Sequence, residues 1–214
     1  MSEESTVGAG EDERSELERE LAERREAALA QVVKFGDPVL KSRASEVAEF
    51  GEQLRGEVDR MIAIMRDGMG VGLAATQVGI LRRLLVFQAS HDAPPTALIN
   101  PEIEWSSDDQ LIAEEGCLSL PRVSMDVERP LYVTVSGLDV DADRVTIEAS
   151  GLEARVLQHE IDHLDGVLIL DRAPRDQRKG ALRALREGGS YGPPIEDDED
   201  AEAEEGHREP RTDA

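Results

Sequence analysis

The chain has 214 residues, a formal net charge of −23, one cysteine and only 3% aromatic residues. That length allows one domain with a real core plus extensions. The acidity argues against nucleic acid as a direct ligand, the lone Cys117 excludes an internal disulfide, and no apolar run reaches the roughly 20 residues that a membrane span needs.

The charge is uneven: residues 1–30 carry −6 and residues 193–214 carry −8. Acidic ends of this kind most simply confer solubility. The first thirty residues hold no apolar leader core, and a lone thiol suits a reducing compartment. The expected location is therefore the cytoplasm, with a monomer as the default state. With so few aromatics, aliphatic side chains must build the core.

Residues 1–12 are rich in Ser, Glu and Gly and are expected to be disordered. Residues 13–31 are strong helix formers with i,i+4 pairs such as Glu20–Arg24. Their few apolar positions, Leu17, Leu21, Ala28 and Leu29, predict a solvated helix, docked loosely or serving a partner. Residues 1–30 thus read as an acidic, partly helical or disordered extension. The folded domain is expected over 31–172.

Phe35-Gly36-Asp37-Pro38 is a turn in which Asp37 can cap a helix and Pro38 can start it. Leu54, Val58, Met61, Ile62 and Met65 form an amphipathic helical stripe that ends by Gly68. Gly70 to Gly79 crowds small residues without the charge of a surface loop. Such a stretch is either a tight packing turn or a place where a substrate backbone comes close. It lacks the lysine of a phosphate loop. Leu84 to Phe87 and Thr96 to Ile99 read as short strands, with His91 on the surface loop between them.

In Glu115-Gly116-Cys117-Leu118-Ser119 the cysteine stands between a glycine, which opens the backbone, and small or apolar neighbours. A lone cysteine is usually a small buried hydrophobe. A thiolate with two histidines is also a ligand set for a catalytic metal with one open position. Val127, Leu131 to Val135 and Val145 to Ile147 alternate as antiparallel strands, with Asp139 to Asp143 turning between the last two.

The densest chemistry lies in Gln158-His159-Glu160-Ile161-Asp162-His163. Leu152, Val156 and Leu157 precede it at helical spacing, and Gly166 reads as the helix end. On a helix the two histidines stand one turn apart, roughly 5–6 Å between Cβ atoms. They can share a metal, and Glu160 can reach a water there. Ile169 replaces the third histidine of a metzincin. Glu187, in a Gly-rich exit, is a poor downstream ligand, so the third ligand is expected upstream. Val167 to Leu170 reads as a short strand. Arg172 to Arg186 carries six cations with Ala181, Leu182 and Leu185 on one side: a basic helix within 173–190, either a solvated face or a contact for RNA or an acidic partner. Residues 191–214 read as a disordered acidic tail. The order of helix, strands and helix gives an α+β fold, with antiparallel strands packed around a central helix that carries H-E-x-x-H.

Gly-x-Gly-Leu-Ala-Ala-x-Gln at 70–77, Glu-Gly-Cys-Leu-Ser at 115–119 and Gln-His-Glu-x-Asp-His at 158–163 resemble, in this order, the three signature motifs of the peptide deformylases. The resemblance covers about residues 31–172. It implies that Cys117, His159 and His163 bind one metal with water in the fourth position, usually Fe²⁺, with Zn²⁺, Ni²⁺ or Co²⁺ able to occupy the site. It implies that Glu160 shuttles the proton, and that the Gln77 amide and the Leu118 N–H hold the oxyanion. Gly70, Val71 and Gly72 would bind a formylmethionyl nascent peptide in extended form, beside Gly116. Glu115, Leu152 and Val156 would line the methionine pocket. Residues 172–186 would be able to dock on the ribosome. Some relatives place an arginine shortly after the cysteine motif; here Ser124 stands near that place, and Arg129 is the nearest arginine downstream. The rival readings are a zinc endopeptidase and an inactive deformylase-like scaffold.

Overall fold

The computed structural model describes residues 7–90 and 92–193. The expectations for His91 and for the acidic tail beyond Pro193 lie outside these residues. Helix α1 spans Val7–Leu29. It starts inside the stretch expected to be disordered, because the helix-forming sequence carries its regular backbone back past the Gly-rich segment. From Glu16 on it is mostly exposed, as a solvated helix should be. Its C-terminal part is tied down: Ala28 is buried, and Arg24 reaches Asp67 at 2.6 Å rather than spending itself along its own helix.

Asp37 caps a 3-10 helix over Pro38–Lys41, its carboxylate accepting from the Val39 N–H at 2.9 Å. Helix α2 spans Glu52–Asp67 and ends at Gly68. It buries Leu54, Val58, Met61, Ile64 and Met65; Ile64, and not Ile62, completes the buried face.

The strands form one sheet and one hairpin. The sheet holds β1 (Gly72–Ala74), β2 (Leu84–Phe87), β3 (Thr96–Ser106), β6 (Tyr132–Leu138) and β7 (Arg144–Ser150), antiparallel in that spatial order. The hairpin pairs β4 (Gln110–Cys117) with β5 (Leu120–Pro130). Strand β3 runs past the expected Ile99 to Ser106. Its second half is exposed on polar and aromatic residues and irregular in register against β6, so no apolar alternation announces it.

Helix α3 spans Gly151–Leu164 and lies between sheet and hairpin. Its buried residues include Ala154, Leu157, Ile161 and Leu164, packed on Leu85, Leu98, Val133 and Val135 of the sheet. A second cluster sets α2 against the sheet through Met61, Met65, Leu73 and Ile99. A third joins β5 to Leu168, Ile169, Leu170 and Ala181.

The short strand expected at Val167 to Leu170 is instead the start of helix α4 (Ile169–Arg172). A brief apolar run does not distinguish strand from buried helix. Here the Asp171 carboxylate accepts from the Leu168 N–H at 2.8 Å and closes a helical turn. Helix α5 spans Arg175–Glu187, follows Pro174 and stops at Gly188 in the left-handed conformation.

Candidate metal centre

Two elements meet to make the site. Helix α3 begins where Gly151 takes φ +56 after the β7 strand. From Ala154 to Leu164 it is buried on nearly every side, and the burial takes in Arg155, Gln158, Glu160, Asp162 and His163 as well as its apolar residues. His159 and His163 lie one turn apart with ring centroids 4.9 Å from each other. Cys117 arrives from the end of β4, where the hairpin register shifts at Gly116. Its Sγ lies 3.2 Å from His163 Nε2. One ligand atom from each of the three lies within 4.8 Å of the others.

The electrostatics suit a cation. Burial alone would raise the Cys117 thiol, but the charge of His163 and hydrogen bonds from both imidazoles hold it well below its ordinary value. Burial would likewise lower His159, yet its bonds to Cys117 and Glu115 hold it well above. A thiolate and two imidazole nitrogens brought into one small volume are the donor set of a thiophilic divalent ion. The residues present therefore fit a metal.

Glu160 is 4% exposed, and among the described residues its Oε2 has no hydrogen-bond partner. Burial raises its pKa. It lies against the backbone of Gly72: a Cβ there would come 2.4 Å from Oε1. The Gln77 amide is oriented at one end, because its Oε1 accepts from the Ala74 N–H at 2.8 Å. That leaves Nε2 facing Cys117 Sγ at 3.5 Å and Ser119 Oγ at 3.4 Å.

Behind the ligands lies a buried ion network. Arg129 grips Glu115 with Nε at 2.6 Å and Nη2 at 2.9 Å, and Asp162 with Nη1 at 2.8 Å. Arg155 adds a 2.6 Å bond to Glu115, and Arg172 a 2.6 Å bond to Asp162. Glu115 Oε2 meets His159 Nδ1 at 3.0 Å. The Glu115 carboxyl is held at about 2: burial opposes this, but the bonds from His159 and Arg129 prevail.

A cleft of about 760 Å³ opens over the ligands. It is lined by Gly70, Val71, Gly72, Gln77, Glu115, Gly116, Cys117, Leu118, Leu152, Val156, His159 and Glu160. His163 completes the set from below, 1% exposed. The residues expected to bind the metal, the oxyanion and the peptide, with Glu160, thus converge. Glu115 reaches the cleft wall, but its carboxylate is turned to the arginines and His159. Glu187, the weak candidate for a downstream ligand, pairs with Arg183 at 3.1 Å at the end of α5.

Sequence reasoning named Arg129 only as the nearest arginine downstream of Ser124; it missed the buried role of Arg129, and it missed Arg155 altogether. Each is a charge set among apolar residues of a buried strand or helix, and such a charge demands a partner. That signal was readable. It also missed Lys34, whose Nζ bonds the Leu118 carbonyl at 3.1 Å, and the cleft residues Arg25, Leu29, Ser190, Gly192 and Pro193. These come from segments remote in sequence. Ser124 is buried and Arg129 turns inward, so neither of them lines the cleft.

The polypeptide deformylase family model matches residues 29–179. Peptide deformylase 1 of Corynebacterium glutamicum is 48% identical over 161 residues, covering 74% of this chain and 95% of the relative. The peptide deformylase of Thermotoga neapolitana is 49% identical over 138 residues, covering 64% and 83%. Among solved structures, the peptide deformylase of Synechococcus elongatus in complex with actinonin aligns with a TM-score of 0.69 at 41% identity, covering 74% of this chain and 88% of that one. The Legionella pneumophila enzyme aligns with a TM-score of 0.70 at 37% identity, covering 73% and 93%.

Proposed function

The chain belongs to the peptide deformylase family and is a metal-dependent hydrolase that removes the formyl group from the N-terminal formylmethionine of nascent polypeptides, and from this premise we propose the part played by each cleft residue. Cys117, His159 and His163 hold the metal. What supports this is their convergence in one small volume at the base of a cleft. The ion we assign is Fe²⁺, on the resemblance of the three motifs; Zn²⁺, Ni²⁺ and Co²⁺ suit the same donors. A divalent ion there would supply Lewis acidity, lowering the pKa of a water to about 7.

Glu160 is the general base and acid. Its raised proton affinity in a buried place suits it to take a proton from the attacking water and return it to the departing amine. The water oxygen adds to the formyl carbon, the carbon–nitrogen bond breaks, and formate and a free methionine amine leave. The Gln77 Nε2–H and the Leu118 N–H donate to the tetrahedral oxyanion. Gln77 is set for this by its bond from Ala74.

Gly70, Val71 and Gly72 pair with the peptide backbone in an extended form, with Gly116 opposite. Leu152, Val156 and the aliphatic stem of Glu115 receive the methionine side chain. A formyl carbon carries only hydrogen, so a narrow site admits it and excludes bulkier acyl groups.

The single observation that carries the reading is Glu160, buried beside the three ligands with its Oε2 unpartnered among the described residues. The test is formate release from a formyl-methionyl peptide, by protein purified without oxygen and loaded with Fe²⁺ or Ni²⁺. Wild type releases formate and metal-loaded Glu160→Ala does not. Equal release by both would overturn the role of Glu160.

We further propose that the protein works in the cytoplasm, as a monomer, where nascent chains emerge. No described helix is long and apolar enough to cross a membrane. The exposed face of α5, with Arg175, Arg178, Lys179, Arg183 and Arg186 around a shallow groove, is a contact for the ribosome within residues 172–186. The acidic tail opposes that contact. Ribosome co-sedimentation would weaken with salt, and at low salt it would be weaker for the full chain than without residues 193–214, the gap closing as salt screens the tail. Equal binding by both would sink the opposition.

A further inference from the structure

Past the end of α5 the chain turns back toward the cleft. Gly188 takes φ +70, and the Gly189 N–H bonds Ala184 O at 2.9 Å. Tyr191 then forms a parallel bridge with Val123 at the start of β5. Its N–H donates to Arg122 O at 3.0 Å, and its carbonyl accepts from the Ser124 N–H at 2.9 Å. Arg122 also clasps the Gly188 carbonyl at 2.7 Å.

Small residues let this strap lie flat. A Cβ on Gly192 would come 2.2 Å from Ser124 Oγ and 2.7 Å from its carbonyl oxygen. A Cβ on Gly180 of α5 would come 2.2 Å from the Tyr191 ring. Tyr191 is thus a latch, its ring seated on Gly180 and its backbone on β5.

The pairing at Tyr191 decides what its neighbours do. A trans peptide holds the C=O of one residue and the N–H of the next on opposite sides. Tyr191 spends both groups on β5, so the Ser190 carbonyl and the Gly192 N–H turn outward, whatever direction the chain takes at Gly192, where φ is +99. Among the described residues no hydrogen bond is made by those groups. Ser190, Gly192 and Pro193 all line the cleft, although they lie beyond residue 179, where the family match ends.

We propose that the outer edge of this strap, at Ser190 and Gly192, is a distal substrate subsite that pairs with the backbone of the nascent chain beyond its formylmethionine. The ligand is an extended peptide of any sequence, because an open strand edge reads backbone and not side chains. The subsite rests on the assignment of this cleft as the substrate cleft. Specificity for chain length is its consequence: a formylated dipeptide ends before the strap, and a tetrapeptide reaches it.

The test compares formyl-Met-Ala with formyl-Met-Ala-Ser-Ala, using the full metal-loaded chain. In wild type, kcat/KM is roughly tenfold higher for the longer peptide, the effect of one or two added backbone bonds. Gly180→Ala pushes on the latch with one methyl group at a helical position, and Tyr191→Ala removes the ring. Neither residue touches substrate. In both variants the ratio falls to within about twofold, mainly through KM, and the dipeptide is turned over as in wild type. A ratio equal in all three proteins, or no preference for length in wild type, overturns the subsite while leaving the cleft assignment standing. Failure of wild type on the dipeptide itself overturns the cleft assignment and the subsite with it.

Discussion

Glu115 Oε2 and His159 Nδ1 stand 3.0 Å apart. A carboxylate held at about 2 is ionised and can only accept, so Nδ1 carries the proton and Nε2 is left for the metal. Glu115→Gln removes that charge while keeping shape. Metal affinity is expected to fall about 10- to 100-fold. Competition with a chelator measures it, and unchanged retention would show that the contact does not orient the ligand.

Gly72 and Glu160 are in contact with no room between them. Gly72→Ala places a methyl 2.4 Å from Oε1 and 2.9 Å from Cδ and Cγ. The carboxylate must move. Since such a group is typically worth about 10²–10⁴ in rate, kcat is expected to drop by roughly 10² or more. Metal content should stay near wild type. Formate release and metal analysis on one sample would check both, and full activity would refute the contact.

Gln77→Ala removes a donor that faces the site and leaves the Ala74 N–H without its partner. One lost oxyanion donor costs roughly 10²–10³ in kcat. The signature is a loss in kcat with KM little changed, read from steady-state kinetics. A loss confined to KM would place Gln77 in ground-state binding instead.

Arg129 is 4% exposed and bridges Glu115 to Asp162. Arg129→Met leaves two buried carboxylates with fewer counter-charges. Breaking a buried pair in this way typically costs about 3–5 kcal/mol. Urea unfolding of the metal-free protein should show that loss as a lower midpoint with an unchanged slope. A cost under about 1 kcal/mol would mean that Arg155 and Arg172 suffice.

The same network sets an acid limit. The folded pKa of Glu115, about 2, lies below its ordinary value of 4.5. The unfolded state therefore binds the proton more readily. The stability this provides is complete above the ordinary carboxylate range and is lost as pH falls from about 4.5 toward about 2. Stability of wild type should decline through that window. The decline should be shallower in Arg129→Met, where the depression of the pKa is smaller. Parallel curves would assign acid sensitivity to other groups.

The sequence by itself determined the chemistry. The spacing of His159 and His163 is a property of one helix, so it is written in adjacent residues. The small residues from Gly70 to Gly79 and the glycine beside Cys117 showed where backbones crowd. The stripe on α2 and the Asp37 cap were equally local. Tertiary structure decided whatever depends on partners distant in the chain. It turned Leu168 to Leu170 from a strand into a buried helical turn, because Asp171 could cap it. It gave β3 a second half that no alternation marks, because β6 lies beside it. It turned the Glu115 carboxylate behind His159, because Arg129 and Arg155 converge there from β5 and α3. It also brought α1 and the strap after α5 to the rim of the same cleft. Periodicity and short motifs encode what a residue does with its near neighbours; which far charge satisfies a buried one is fixed only when the elements pack.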